Sequence, residues 1–165
     1  MWNADKIVYR NDDSFVRAYQ GSELVWEKSI SNNKIYYTSS DGQIVTPHHI
    51  DGFGSNIISN TYSEGVGVIE FDGDVTKIGA NAFRNCTSLT SITIPSSVTR
   101  IWYRAFYDCS RLSEVIVNAV VPPTLGANVF KYCNANLQIK VPAESLQSYK
   151  TADKWSDYAD DIIAQ

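Results

Sequence analysis

Three hexapeptides recur in one register through the middle of the chain. Val66-x-x-Ile69-x-Phe71, Leu89-x-x-Ile92-x-Ile94 and Leu112-x-x-Val115-x-Val117 follow one another at intervals of 23 residues. A fixed period of this size marks one supersecondary unit copied along the chain, and no copy buries its own apolar edge. The chain is therefore expected to fold by stacking. A second block repeats between the strands: Ile78 with Ala82-Phe83-Arg84-Asn85-Cys86, Ile101 with Ala105-Phe106-Tyr107-Asp108-Cys109, and Leu125 with Val129-Phe130-Lys131-Tyr132-Cys133.

Apolar residues separated by one position, as in Ile92-Thr93-Ile94, send alternate side chains into a core from a short strand. Neighbouring rungs would pair these strands into a parallel sheet. Val75, Val98 and Val121 return the chain toward the core after each strand, and the stretch from Ile78 to Phe83 fits an irregular or one-turn helical convex side. The cysteines Cys86, Cys109 and Cys133 share one phase, so stacking predicts a buried column of small apolar side chains. A disulfide between adjacent rungs is within reach but leaves one thiol over.

The run Val-x-x-Ile-Gly-x-x-Ala-Phe-x-x-Cys-x-x-Leu-x-x-Ile-x-Ile-Pro, from Val75 to Pro95, resembles the bacterial surface-antigen type of leucine-rich repeat, the BspA-like family. The likeness covers roughly residues 66–141. It implies an α/β repeat: a short leucine-rich-repeat solenoid of parallel β rungs with an irregular or short-helical convex side. It also implies surface attachment and contact with a host or matrix. Two positions depart from the pattern. Trp102 stands at the Gly position of the second repeat, and the third repeat is one residue longer before Phe130.

The flanks read differently. Residues 1–29 form a small β-meander, with strands at Lys6–Arg10, Phe15–Gln20 and Glu23–Glu27 and turns at Asn11-Asp12-Asp13 and Gly21-Ser22. Three strands alone are marginal, so the meander is expected to dock on something, through Val16, Tyr19, Leu24 and Trp26. Its segment Ala18–Lys28 resembles short N-terminal segments of gut-bacterial and phage proteins. After a polar linker, residues 35–65 are expected to cap the solenoid, with a strand at Ile35-Tyr36-Tyr37, a turn at Asp41-Gly42 and a Gly/Ser/Asn-rich connection from Gly52 to Gly65. Residues 66–141 carry the repeats. Residues 142–165 are expected to form a helical cap, with Trp155, Tyr158 and Ile162 on one apolar face.

Chemistry is sparse. Fourteen basic and eighteen acidic residues give a net charge of −4, without any run of Lys or Arg, so nucleic acid is not an expected partner. No stretch approaches the ~20 apolar residues of a membrane helix, and the start lacks the pattern of a secretory signal, so no membrane insertion is expected. His48 and His49 are adjacent and point to opposite sides of an extended chain, which disfavours a shared metal. Asp72-Gly73-Asp74 lacks the further oxygen ligands of a calcium loop and reads as a turn. With no arrangement of nucleophile, acid and base, neither an enzyme nor a cofactor site is expected.

Two surfaces remain as candidates for binding a protein or glycan. One is the aromatic group of the second repeat, Trp102, Tyr103 and Tyr107 with Arg104, where the flanking repeats carry Gly, Ala and Arg or Lys at the three aromatic positions; it would bind a partner, cover its small neighbours or pack under the N-terminal meander. The other is the outer face of the sheet, at Glu70, Thr93, Ile116 and Lys140. The leading expectation is a non-enzymatic adhesion or recognition module at a cell surface. The alternative is a structural, decoration or receptor-binding component of a phage or phage-like particle, assembled through the N-terminal segment.

Overall fold

In a computed structural model the chain divides into two compact units, Met1–Ser31 and Asn32–Gln165. The structure describes residues 31–165 and, before them, only the backbone of β1 (Arg17–Gln20) and β2 (Glu23–Glu27). These two strands pair antiparallel, with Ala18 opposite Trp26 and Tyr19 opposite Leu24. The expected strand at Lys6–Arg10 and the expected docking residue Val16 lie outside the described residues.

The second unit is built from β3 (Lys34–Ser39), β4 (Ile57–Ser63), β5 (Val66–Phe71), β6 (Lys77–Ile78), β7 (Leu89–Ile94), β8 (Arg100–Ile101), β9 (Glu114–Val117), β10 (Thr124–Leu125), β11 (Gln138–Val141), the helix α1 (Leu146–Thr151) and β12 (Ile162–Ala164). One sheet has the order β12-β11-β9-β7-β3-β5-β4, and its run from β7 to β12 is parallel. The register repeats the period: Ile92 faces Val115, and Val115 faces Ile139. Inward residues Ile92, Ile94, Val115, Val117, Ile139 and Val141 are all buried.

Two features depart from expectation. The convex side is not helical: β6, β8 and β10 form a second, three-stranded parallel sheet. Its backbone groups bond from rung to rung, Thr99 N to Thr76 O at 2.9 Å and Thr124 N to Thr99 O at 3.0 Å, instead of along the chain. Secondly, β5 and β7 are not neighbours, because β3 runs antiparallel between them. Ile35 and Tyr37 fill that gap from the inside. The Tyr37 ring lies over Gly67, where a Cβ would come within 2.1 Å of it. Its hydroxyl donates to Asn60 Oδ1 at 2.8 Å and accepts from Val45 N at 3.2 Å, tying β3 to β4 and to the following loop.

The segment expected as a connection from Gly52 to Gly65 contains the end of a 3-10 turn, Ile50–Phe53, and the whole of β4. Residues 46–53 stack on the first repeat as though they were the turn before it. His48 N donates to Ala82 O at 2.7 Å, and Gly52 packs so closely on Gly79 that a Cβ on Gly79 would lie 2.6 Å from the Gly52 Cα.

A column of phenylalanines fills the core. Phe83 and Phe106 stack with centroids 5.3 Å apart and planes 4° apart, and Phe106 and Phe130 at 5.5 Å and 8°. Phe53 closes one end edge-on, 5.9 Å from Phe83, and Tyr158 the other, 5.4 Å from Phe130. The three cysteines are free thiols at one phase of the repeat; Cys86 and Cys109 are buried as expected, whereas Cys133, on the last rung, is only half-buried. Cys109 donates to Phe83 O at 3.0 Å and Cys133 to Phe106 O at 3.2 Å, one repeat back in each case.

The C-terminal segment corrects another expectation. Trp155, Tyr158 and Ile162 do not share a helix face: after α1 comes a 3-10 turn, Ser156–Tyr158, and the chain then adds β12 beside β11. With α1 only six residues long, the cap is fixed by side chains that reach back. Tyr149 Oη donates to Ala119 O at 2.6 Å and Trp155 Nε1 to Pro123 O at 2.7 Å.

Candidate functional site

The turns between the two sheets are shaped by left-handed residues at two places per repeat, Asn81, Arg104 and Asn128 and then Asn85, Asp108 and Tyr132, with φ between 54° and 63°. Asparagine and aspartate tolerate this region best. The turns also bond to one another, Asn85 N to Tyr107 O at 2.8 Å and Asp108 N to Lys131 O at 2.9 Å. Side chains that leave them are thus held in register on a rigid edge.

That edge gathers cations and aromatic rings. Arg84 Cζ lies 5.7 Å and Arg104 Cζ 5.3 Å from the centroid of the Tyr107 ring. Tyr107 meets Tyr132 edge-on at 5.2 Å, and Lys131 Nζ lies 5.1 Å from the Tyr132 centroid. Arg100 stacks over Trp102 at 4.7 Å. Among the described residues none of these four cations has an ion-pair partner. Of the residues singled out in sequence, Trp102 is 39% and Tyr103 48% exposed, and the structure joins Arg104 to Tyr107. Arg84, Arg100, Lys131 and Tyr132 are additions. Their signal was in the sequence, since Arg84 and Lys131 occupy the position after Phe in adjoining repeats and flank Tyr107 once the turns stack.

The outer face of the sheet is organised otherwise. Thr93 faces Ile116, and Ile116 faces Lys140, in one cross-strand row. Lys140 forms a salt bridge with Glu114, and Lys34 lies 3.8 Å from Glu70. Thr38 bonds the hydroxyls of Thr90 and Ser91, each at 2.6 Å. Tyr19, Leu24 and Trp26 sit on β1 and β2, in the separate N-terminal unit.

The other titratable groups serve structure. Asp72 accepts from Asn56 N and Nδ2 at 2.8 and 2.7 Å, and these bonds lower its pKa. Burial raises the thiols, Cys86 to about 11 and Cys133 to about 12. His48 and His49 are exposed and line a shallow basin of about 330 Å³ with Asn81, Arg84 and Asn85. Among the described residues no group of three or more His, Cys, Asp or Glu is placed to hold a metal ion, and no helix is long and apolar enough to cross a membrane.

Parallel rungs at a 23-residue period, with a Phe and a Cys column behind them, define a leucine-rich-repeat protein. The chain belongs to the BspA type leucine rich repeat family, whose repeat region it matches in six copies over residues 55–152. The match reaches beyond residues 66–141 on both sides, taking in β4 and α1. No curated protein matches the chain.

Proposed function

We propose that the chain is a non-enzymatic binding module, a short leucine-rich-repeat solenoid that recognises a protein or glycan at a cell surface through its turn side. The contrast in charge pairing between its two faces carries this reading. On the sheet side Lys140 pairs with Glu114 and Lys34 approaches Glu70, so the charges answer one another within the chain. On the turn side Arg84, Arg100, Arg104 and Lys131 lie over rings, without carboxylate partners among the described residues. Cations ordered on aromatic faces lose little entropy on binding and keep their hydrogen-bond donors free.

The test is an array of matrix proteins and glycans probed with the full chain, with a turn-side variant (Arg84→Gln, Arg104→Asn, Lys131→Gln) and with a sheet-side variant (Thr93→Ala, Ile116→Ala). At least one probe should bind the parent and the sheet-side variant and be lost with the turn-side variant. Retention of every probe by the turn-side variant, or chemical conversion of a probe, contradicts the reading. A second reading, a component of a phage or phage-like particle docked through residues 1–29, draws on the compactness of residues 1–31 as their own unit. It predicts that the chain sediments with particles on a density gradient.

A further inference from the structure

We infer that β4 is a self-association edge: two copies of the chain pair antiparallel through residues 59–63, about a two-fold axis at Thr61, and so join their seven-stranded sheets. This goes beyond the turn-side reading and does not depend on it. The sheet ends in β12 on one side and in β4 on the other. The β12 edge is blunted: it is three residues long, follows Asp160-Asp161 and has α1 packed against it. The edges of the convex sheet, β6 and β10, have two residues each. β4 lacks these protections. Its seven residues, Ile57–Ser63, form the longest strand of the second unit and include no charge, proline or glycine. An edge of this kind is a template for another strand. Its one irregularity, a register shift between Ile57 and Ser59, leaves residues 59–63 regular.

The backbone fixes which residues the edge offers. Glu64 and Gly65 form a two-residue turn with φ of 51° and 85°, and Ser63 pairs with Val66 across it. A hairpin closed in this way makes the flanking pair a hydrogen-bonded one, and the pattern alternates from there. Ser63, Thr61 and Ser59 therefore turn their N–H and C=O groups toward Val66, Val68 and Glu70 of β5. Asn60 and Tyr62 turn theirs to the open edge, where no backbone group among the described residues meets them. An antiparallel copy that sets its Tyr62 opposite Asn60, and its Asn60 opposite Tyr62, uses all of these donors and acceptors.

The side chains select an identical strand in the same register. Asn60 and Tyr62 are committed inward: Asn60 Nδ2 donates to Val45 O at 3.0 Å, Asn60 Oδ1 accepts from Tyr37 Oη, and the Tyr62 ring lies 6.0 Å from that of Tyr37. Ser59, Thr61 and Ser63 alternate to the outer face, with Thr61 and Ser63 exposed. About the two-fold axis Thr61 meets Thr61 and Ser59 meets Ser63, hydroxyl against hydroxyl. Glu64 falls opposite Ile58, so the two Glu64 carboxylates stand at opposite ends of the joint; a parallel copy would set them side by side. Ile58 and Ile44, each exposed by half or more, supply apolar area at this edge, since Ile44 adjoins the Val45 that bonds Asn60. A strand of unrelated sequence makes the backbone bonds but not these side-chain matches.

Sedimentation velocity of the full chain tests the inference, with Thr61→Lys, Thr61→Asp and, as a control on β11, Gln138→Lys. The parent should pass from monomer to dimer with a Kd on the order of 10–100 µM, as a small interface gives. Thr61→Lys and Thr61→Asp each set like charges face to face at the axis, and each should weaken the dimer by about tenfold or more with an unchanged melting temperature. Mixed in equal amounts, the two should dimerise at least as tightly as the parent, because the register brings residue 61 against itself. Gln138→Lys should dimerise like the parent. A parent still monomeric at about 500 µM, a dimer that Thr61→Lys leaves intact, equal weakening by Gln138→Lys, or no rescue in the mixture overturns the inference. An intact Thr61→Lys dimer would move the contact to another surface, the unit Met1–Ser31 included. The turn-side reading falls separately, when the turn-side variant keeps every array probe.

Discussion

Phe106 lies between two parallel rings, with Phe83 on one side and Phe130 on the other, and is wholly buried. Shortening it opens a void in the middle of a column whose neighbours are pinned by turn-to-turn hydrogen bonds and cannot collapse inward. Phe106→Ala should therefore cost about 3–5 kcal/mol, read as a lower urea midpoint at constant slope. The thiols beside the column give a pH signature. Burial lifts Cys86 to about 11 and Cys133 to about 12 from an unfolded value of 9.0, so both are neutral in either state below pH 9. Above pH 9 the unfolded chain releases these protons first, and stability is lost as pH rises toward the folded values. The loss should be about 1 kcal/mol per thiol between pH 8 and pH 10, by urea denaturation, and smaller in Cys86→Ala/Cys133→Ala.

Elements meet here through glycines at points of close backbone approach. A Cβ on Gly126 would lie 2.2 Å from Tyr103 N, a backbone atom that cannot swing aside, and one on Gly67 would strike the buried Tyr37 ring. Gly126→Ala and Gly67→Ala should each lower the melting temperature, by overpacking of about 1–3 kcal/mol. Gly126→Ala should also alter Trp102 fluorescence, because it displaces the backbone beside that ring.

The repeat strands were legible in sequence because period 23 and alternate apolar residues are local signals. The cysteine column followed from phase alone. The insertion of β3 was not legible: Ile35-Tyr36-Tyr37 identifies a strand, but its place between β5 and β7 is set by the fit of Tyr37 over Gly67, 30 residues away. Nor was the short convex sheet, since two-residue strands such as β6 carry no periodicity. At the site, Trp102 and Tyr103 stood out as breaks in the pattern, whereas Arg84 and Lys131 follow it and acquire meaning only when the turns stack.

At the scale of the whole second unit, the sheet face and the turn face divide the work. The sheet side closes on itself through salt bridges and hydroxyl pairs, and both ends of the phenylalanine column are capped by residues from the flanking segments. Among the described residues Arg84, Arg100, Arg104 and Lys131 have no ion-pair partner, and the aromatic residues Trp102, Tyr103 and Tyr132 are exposed. Attraction there should be sensitive to salt, with affinity falling from 50 to 300 mM sodium chloride, because exposed charges are screened over about 10 Å at 0.1 M. The most direct measurement is hydroxyl-radical footprinting of the full chain with and without the array probe it binds. Oxidation of Tyr103 and Tyr132 should fall on binding while that of Ile116 and Ile163 on the sheet stays constant; protection of the sheet residues with unchanged tyrosines would contradict the account.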